Sequence, residues 1–570
     1  GQAKTENRKP KTENRKWPEP IKLAIAAKND EDLSQISEMV STINKLTEAK
    51  WKENQIVPSR YADDYEFIRR ASLDIIGRIA KPEEISAYLK DAKEMRRSKL
   101  VNRLLDSDEY PRHWANLWAN WLLSRSGVFG RGMYHEWLAT WLEDQFGQNK
   151  PYSSIVKSLL TASGDNSDTE KGGAASNFIL AHLGEMVPRA HRGEDGHFQM
   201  VPLTSRITRL FLGTQVQCAQ CHDHPFYSNI RQEHFWGVNA FLRQVVREGQ
   251  PPQPGRRMMT FNKLTLKDDE GVAQAAQIYF EKRNGVIRVV PAEFLPSNGD
   301  QEHGARLPAG TKGIGRREKL AEFIIDHPQF PKAITNRMWG VFFGRGFVNP
   351  VDDFNDQNQP SNEDLLKEVS ARFKHYDYDF KKLIRWICNS NAYNLSCVAN
   401  RTNDKPEVEA LFSRMVMKAM SPEQLFESLM IAAKVEAAES KAGKKDLKDK
   451  WLNTLISNFG DDEGNEVNFN GTVVQALLMM NGKDINDAIA RKEKGSVALA
   501  IRNRTEPAAI NELFLTALNR PPTDKEVRTI RTQFRLLNQK VWANDYKNPN
   551  RRYEDLFWAL LNSNEFILNH

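Results

Sequence analysis

Apolar residues recur at helical spacing through most of the chain. The pattern runs from about Ile21 to Leu123. Within Asp64–Ile76, residues Phe67, Ile68, Leu73, Ile75 and Ile76 lie close to one stripe, and Asp63 or Asp64 offers an N-cap. Pro82-Glu-Glu-Ile opens a further helix, with proline in the first turn and acids after it. Trp114, Leu117, Trp118 and Trp121 fall at i, i+3, i+4 and i+7, which predicts one core-facing helix surface. Helical spacing continues through Tyr134–Phe146 and Ser153–Ala162. Residues 163–202 are rich in Gly, Asp and Ser and read as a loop holding His182, His191 and His197. Residues 203–217 read as an amphipathic helix running into a cysteine cluster. Pro252, Pro254, Gly255 and the Val286–Val290 segment predict a few short strands between 249 and 315. From Arg316 to His570 the helical pattern returns, broken at Gly344–Pro360 and at the charged run Ser440–Lys450. The pattern predicts a mostly α chain. A cationic tail (1–20) precedes a helical domain (21–248), a short β-containing or irregular connector (249–315) and a second helical domain (316–570).

Composition narrows the class. The 570 residues are 40% hydrophobic and include 13 Trp and 28 Phe, which excludes a disordered chain. The 81 basic and 74 acidic residues are interspersed, and the net charge of +7 forms no basic stripe outside the tail, so nucleic acid is not an expected partner. No apolar run reaches the ~18 residues of a membrane span. The tail repeats KTENRK at residues 4–9 and 11–16. It is too polar to bury a core and reads as a tether, with attachment to an acidic surface as its functional alternative. The sequence starts at Gly-Gln-Ala, which reads as a processed product compatible with export.

Four cysteines exclude a disulfide scaffold and direct attention to where they sit. Cys218-Ala-Gln-Cys221-His222 has the spacing of a c-type haem attachment site. Two thiols two residues apart can reach the vinyl groups on one side of a porphyrin, and the following imidazole can ligate the iron. Three other readings stay open: a redox disulfide, zinc held by the Cys-x-x-Cys-His-x-His string, and simple burial of the cysteines. No thioredoxin-like βαβ pattern surrounds the pair, and His222 and His224 crowd Cys221 for a structural zinc site. The neighbouring Phe211, Leu212, Phe226, Phe235, Trp236 and Phe241 suit a flat apolar cofactor and equally suit a core. Met200, His182, His191 and His197 are candidates for the far side of the iron; a vacant position there would favour small-molecule or peroxide chemistry over electron transfer. Cys388 and Cys397 lie nine positions apart, where an exported chain could form a disulfide.

Asp352 and Asp353 form an acidic pair able to do acid–base work. The plainer reading is helix capping and salt bridging to Arg337 or Arg345. Asp353, Asn355 and Gln357 mimic a calcium-loop rhythm but lack its glycine and terminal glutamate, so an EF-hand is rejected. There is no Gly-x-Ser-x-Gly, P-loop, His-Glu-x-x-His or dinucleotide fingerprint.

Asp74-Ile-Ile-Gly-Arg and Phe211-Leu-Gly-Thr-Gln-Val-Gln-Cys-Ala-Gln-Cys-His-Asp-His-Pro resemble the first of two domains of unknown function in planctomycete cytochrome-c-associated proteins. Asn336-Arg-Met-Trp-Gly-Val-Phe-Phe-Gly-Arg-Gly-Phe-Val-Asn-Pro-Val-Asp-Asp-Phe, Pro360-Ser, Asn470-Gly-Thr-Val-Val-Gln-Ala-Leu-Leu-Met-Met-Asn, Leu518-Asn-Arg-Pro-Pro-Thr and Trp558-Ala-Leu-Leu-Asn-Ser-Asn-Glu-Phe resemble the second. The likeness covers about residues 30–570. It implies an exported, mostly helical protein of the bacterial envelope, at the periplasm or cell surface. Larger relatives carry a separate cytochrome-c domain, which this sequence lacks. The resemblance carries the attachment motif onto Cys218, Cys221 and His222, and points to Arg337, Arg345, Asp352 and Asp353 without assigning their roles. The expected function is covalent haem c binding with electron transfer or haem-based redox chemistry, with His222 as the proximal ligand and Met200 as a distal candidate. Arg337 or Arg345 would pair with a haem propionate. Expected partners are a redox protein or another cytochrome, and a second copy of the chain. Whether the chain is an enzyme stays open. The rivals are a haem-free surface structural protein and a polysaccharide-processing enzyme using Asp352 and Asp353.

Overall fold

The computed structural model describes residues 17–18, 23–27, 29–123, 133–183, 198–225, 230–249, 263–297, 303–434, 495–502, 504–537 and 550–570. The chain is mostly α-helical, with a few small antiparallel sheets. The KTENRK repeat and the Ser440–Lys450 run lie outside the described residues.

In the first half, α1 (Asp30–Glu53), α2 (Asp64–Ile76), α3 (Pro82–Lys90), α4 (Arg96–Leu105) and α5 (Glu109–Leu123) follow in close succession. Asp63 is the N-cap of α2 and accepts from the amides of Tyr65 and Glu66. Trp114, Trp118 and Trp121 of α5 are buried, as their spacing predicts, while Leu117 is half-buried. Next come α6 (Met133–Gly147) and α7 (Tyr152–Thr161). The segment expected to be loop contains β1 (Gly164–Asp165) and the short helix α8 (Asn177–Ala181). Asn166 and Asn177 hold this segment together by side-chain and backbone hydrogen bonds, and Phe178, Ile179 and Leu180 enter the core. Its polar composition hid three consecutive buried apolar residues.

α9 (Val201–Leu212) and α10 (Gln232–Ala240) precede the connector. β2 (Val245–Glu248), just ahead of it, and β1 both pair with β3 (Thr265–Asp268) inside it. β4 (Gln277–Glu281) and β5 (Ile287–Pro291) form a separate hairpin. The second half contains α11 (Ile314–Asp326), α12 (Gln329–Phe343), α13 (Glu363–His375), α14 (Phe380–Cys388), β6 (Lys418–Ala419) and α15 (Pro422–Ala432). It continues with α16 (Ser496–Ile501), α17 (Glu506–Leu518), α18 (Asp524–Leu537), α19 (Arg551–Leu561), α20 (Asn564–Ile567) and β7 (Leu568–Asn569). β6 and β7 pair, with Lys418 opposite Asn569.

One apolar core runs through both halves, from α1 to α14, and a second joins Leu73 and Ile79 to α15 through α20. The sequence predicts a single apolar stripe on α2. The structure instead buries that helix almost all round, including Glu66, Arg69, Arg70 and Asp74. Buried charge demands partners, and besides the Glu66–Arg70 pair within the helix these come from the second half. Arg69 donates to the carbonyls of Ala517, Glu565 and Phe566 at 2.7–3.3 Å. Arg70 donates to the Tyr393 and Leu395 carbonyls at 2.7 and 2.8 Å and pairs with Glu66. Glu66 accepts from the Ser396 hydroxyl and the Cys397 amide.

The residues after α2 repeat this logic. Asn519, at φ +60°, accepts from the Ala80 amide (3.1 Å) and donates to the Ala80 carbonyl (2.7 Å). Replacing it with glycine keeps the backbone freedom but leaves both buried Ala80 groups unpaired. Asn519→Gly is therefore expected to cost about 1–3 kcal/mol, read by urea denaturation. A change below a few tenths of a kcal/mol would show that the clasp contributes no stability.

Candidate functional site

The site forms where α9 ends. Gly213 closes the helix at φ +64°, and a Cβ there would fall 2.8 Å from the Phe354 ring. The Gly213 carbonyl accepts from the Phe354 amide at 2.9 Å, so the second half of the chain crosses directly over the helix end. After a short link, a 3-10 turn at Gln217–Gln220 carries Cys218, and Cys221 and His222 follow. The sequence predicts one helix running to residue 217; the structure breaks it at Gly213, which takes a left-handed conformation where the crossing Phe354 leaves no room for a side chain. The Gln220 carbonyl accepts from the Gln232 amide and the Trp236 indole, both at 3.1 Å, which fixes the turn on α10.

Cys218 and Cys221 are free thiols and both are exposed. His222 is exposed too, and its Nδ1–H donates to the Asp223 carbonyl at 2.7 Å. The Asp223 carboxylate in turn accepts from the Gln232 amide at the start of α10. His224 is buried, with its amide on the Ile230 carbonyl. Burial lowers its imidazole below the usual range; a hydrogen bond to the Gln215 backbone and the charge of Asp353 oppose that shift, and His222 adds to it. The acidic pair thus acts on His224, two residues past the attachment motif, across a long stretch of sequence.

Asn336 on α12 builds the loop that delivers the acids. Its amide nitrogen donates to the Val348 and Val351 carbonyls at 2.9 and 3.0 Å, and its oxygen accepts from the Val348 amide at 3.0 Å. Gly346 packs so close that a Cβ would lie 2.6 Å from the Val348 carbonyl oxygen. Asp352 is buried and forms an ion pair with Arg209 of α9, with Gln215 donating to its other oxygen at 3.4 Å. Asp353 accepts from the amides of Asn355 and Asn358.

These positions correct several expectations. The partner of Asp352 is Arg209, not Arg337 or Arg345. Arg337 is buried, with its guanidinium 5.3 Å from the Trp121 ring. Arg345 is half-buried, and its buried Nε lacks a hydrogen-bond partner. Met200 is buried at the opposite end of α9, about 18 Å along a 12-residue helix from the turn. His182 is half-buried, with Nε2 committed to the Leu122 carbonyl at 2.8 Å. His191, His197 and Phe226 lie outside the described residues. Phe211, Leu212, Phe235, Trp236 and Phe241 all point into the protein core. Cys388 and Cys397 are free: the first is buried at the end of α14, and the second has its amide held by Glu66. Among the described residues no group of three or more His, Cys, Asp or Glu is placed to hold a metal ion.

Sequence reasoning missed Arg209 and Gln215, which no motif marks as partners of a distant acid. It also missed a cavity of about 240 Å³ beside α10, lined among others by Arg231, His234, Glu293, His303 and Arg306. Burial pushes the Glu293 carboxyl up, but Arg306 and the Gly304 amide outweigh it and hold it below its usual range. Its residues come from segments some 60 positions apart, so local pattern could not assemble them.

Two family models match the chain. Residues 42–247 match PSCyt2, a protein of unknown function (DUF1549), and residues 316–454 match PSD1, a protein of unknown function (DUF1553). A stretch similar to DUF1549 is thus followed by one similar to DUF1553. No curated protein and no solved structure matches it. The cysteine turn belongs to the DUF1549 segment and the Asp352 loop to the DUF1553 segment, so the ion pair between Arg209 and Asp352 joins the two.

Removing Arg209 strands a buried carboxylate. Arg209→Met is expected to cost about 3–5 kcal/mol, and adding Asp352→Leu should recover most of it. Urea denaturation of the two singles and the double checks this; additive losses would contradict the pairing. Acid provides a second test. Burial, aided by Arg206, lowers His182 to about 3, and burial lowers His113 to about 4. The unfolded chain binds protons at these imidazoles first, near pH 6.5. Their contribution is therefore complete above that pH and is lost as pH falls toward 4 and then 3. His182→Gln should flatten this part of the stability profile, measured by denaturation between pH 7 and the acid limit of folding.

Proposed function

We propose that the chain is an exported protein of the bacterial envelope that binds haem c covalently through Cys218 and Cys221, with His222 as the proximal ligand, and serves electron transfer or haem-based redox chemistry. The observation that carries this reading is the donor set. Two free, exposed thiols share one short turn, and the next imidazole has its Nδ1–H engaged, leaving Nε2 as the nitrogen for a metal. These residues fit the group. When bound, haem supplies a one-electron couple whose potential its ligands and surroundings set.

The remaining residues hold the site. The Asp223 carbonyl orients His222 and raises its basicity, and Gln232 fixes Asp223. Gln232 and Trp236 hold the turn through the Gln220 carbonyl, and the Asp352 loop clamps the end of α9. Arg345, on that loop and with an unpartnered Nε, is the arginine we assign to an acidic group of the cofactor. The partner is a redox protein or a second cytochrome. Use of Asp352 as a hydrolytic acid or base finds no support, because Arg209 and Gln215 occupy its carboxylate.

The test is a visible spectrum in alkaline pyridine with dithionite, paired with intact mass, on protein from its native host. A c-type haemochrome band and the mass of one added haem are expected, both abolished by Cys218→Ala with Cys221→Ala. No band and an apoprotein mass would overturn the proposal.

A further inference from the structure

A second constellation lies where two two-residue strands, β6 and β7, pair. Lys418 in β6 and Asn569 in β7 are directly opposed cross-strand partners, so their side chains leave the same face of the pair. Both are largely buried. Both donate to one oxygen: Lys418 Nζ to Asp74 Oδ1 at 2.8 Å, and Asn569 Nδ2 to the same atom at 2.7 Å. Tyr393 donates to Asp74 Oδ2 at 2.8 Å. The Asn569 carbonyl oxygen is buried with no hydrogen-bond partner. An unsatisfied buried acceptor is costly.

An amine, a carboxamide and a carboxyl group bridging them are the components of an amide transfer. We propose that Lys418 and Asn569 are joined by an autocatalytic isopeptide bond, with Asp74 relaying the proton. The Lys418 Nζ lone pair attacks Asn569 Cγ and a C–N bond forms. Asp74 takes the proton from Nζ and delivers it to Nδ2, the Cγ–Nδ2 bond breaks, and ammonia leaves. No oxidant or other co-reactant is needed, and the carbonyl oxygen stays on Cγ.

The surroundings favour the step. An amine acts as a nucleophile only when neutral, and burial lowers Lys418 from its ordinary range, against the opposing charge of Asp74. Asp74 touches both reacting side chains, so one carboxyl group can serve as base and then acid. Strand pairing holds the partners together, replacing an encounter with a fixed arrangement. The Val341 and Phe342 carbonyls, at 2.8 and 3.0 Å from Nζ, fix the amine in place. The product would tie the end of the described chain to β6 and seal the second apolar core.

The test is mass spectrometry of the purified full chain, by intact mass and by tryptic mapping. The expected result is a loss of one ammonia relative to the sequence, and a branched peptide joining Lys418 to Asn569 with no cleavage after Lys418. Any haem adds its mass on other peptides, so the map separates this outcome from the haem proposal. Lys418→Arg should restore the lost ammonia, and Asp74→Ala should give unjoined peptides. Linear peptides with the sequence mass in the unaltered protein would overturn the proposal. So would a loss of ammonia confined to a ring at Asn569, or a loss of water that joins Lys418 to Asp74.

Discussion

The burial of α2 constrains the rest of the molecule. A helix with Glu66, Arg69, Arg70 and Asp74 in the interior is stable only if each charge finds a partner that stays in place. Those partners are carbonyls and side chains from residues 393–397, 418, 517 and 565–569. The second half of the chain must therefore wrap the first, and the shared apolar core follows from that arrangement.

The candidate site depends on the same coupling. An exposed turn with two cysteines has little to hold it by itself. It is fixed from one side by α10, through Gln232 and Trp236, and from the other by the loop that Asn336 shapes and Arg209 anchors. This gives a physical reason for a DUF1549 segment and a DUF1553 segment to occur in one polypeptide: each supplies half of the clamp on the end of α9.

Much of the fold was legible because periodicity reports burial. The Trp114, Trp118 and Trp121 face, the Asp63 cap and the proline start of α3 could be read directly. α2 was recognisable as a helix, but its full burial was not, because Arg69 and Arg70 look solvent-bound until their distant carbonyl partners are known. α8 was hidden by its polar flanks. The spacing of Cys218, Cys221 and His222 made the site visible, since that chemistry is local. The partner of Asp352 was not visible: an ion pair across 143 positions leaves no pattern in either segment. Arg337, read from the sequence as a cofactor-pairing arginine, is buried with its guanidinium over the Trp121 ring, a contact across distant segments that no local pattern marks.

The central claim is that both halves fold as one unit around α2. Native-state amide hydrogen exchange on the intact chain tests it most directly. Amides of α2, α12 and α14 should open with a single free energy, equal to that of global unfolding and with the same denaturant dependence. Exchange of α2 through a smaller, separate opening, while α12 and α14 stay protected, would contradict the account.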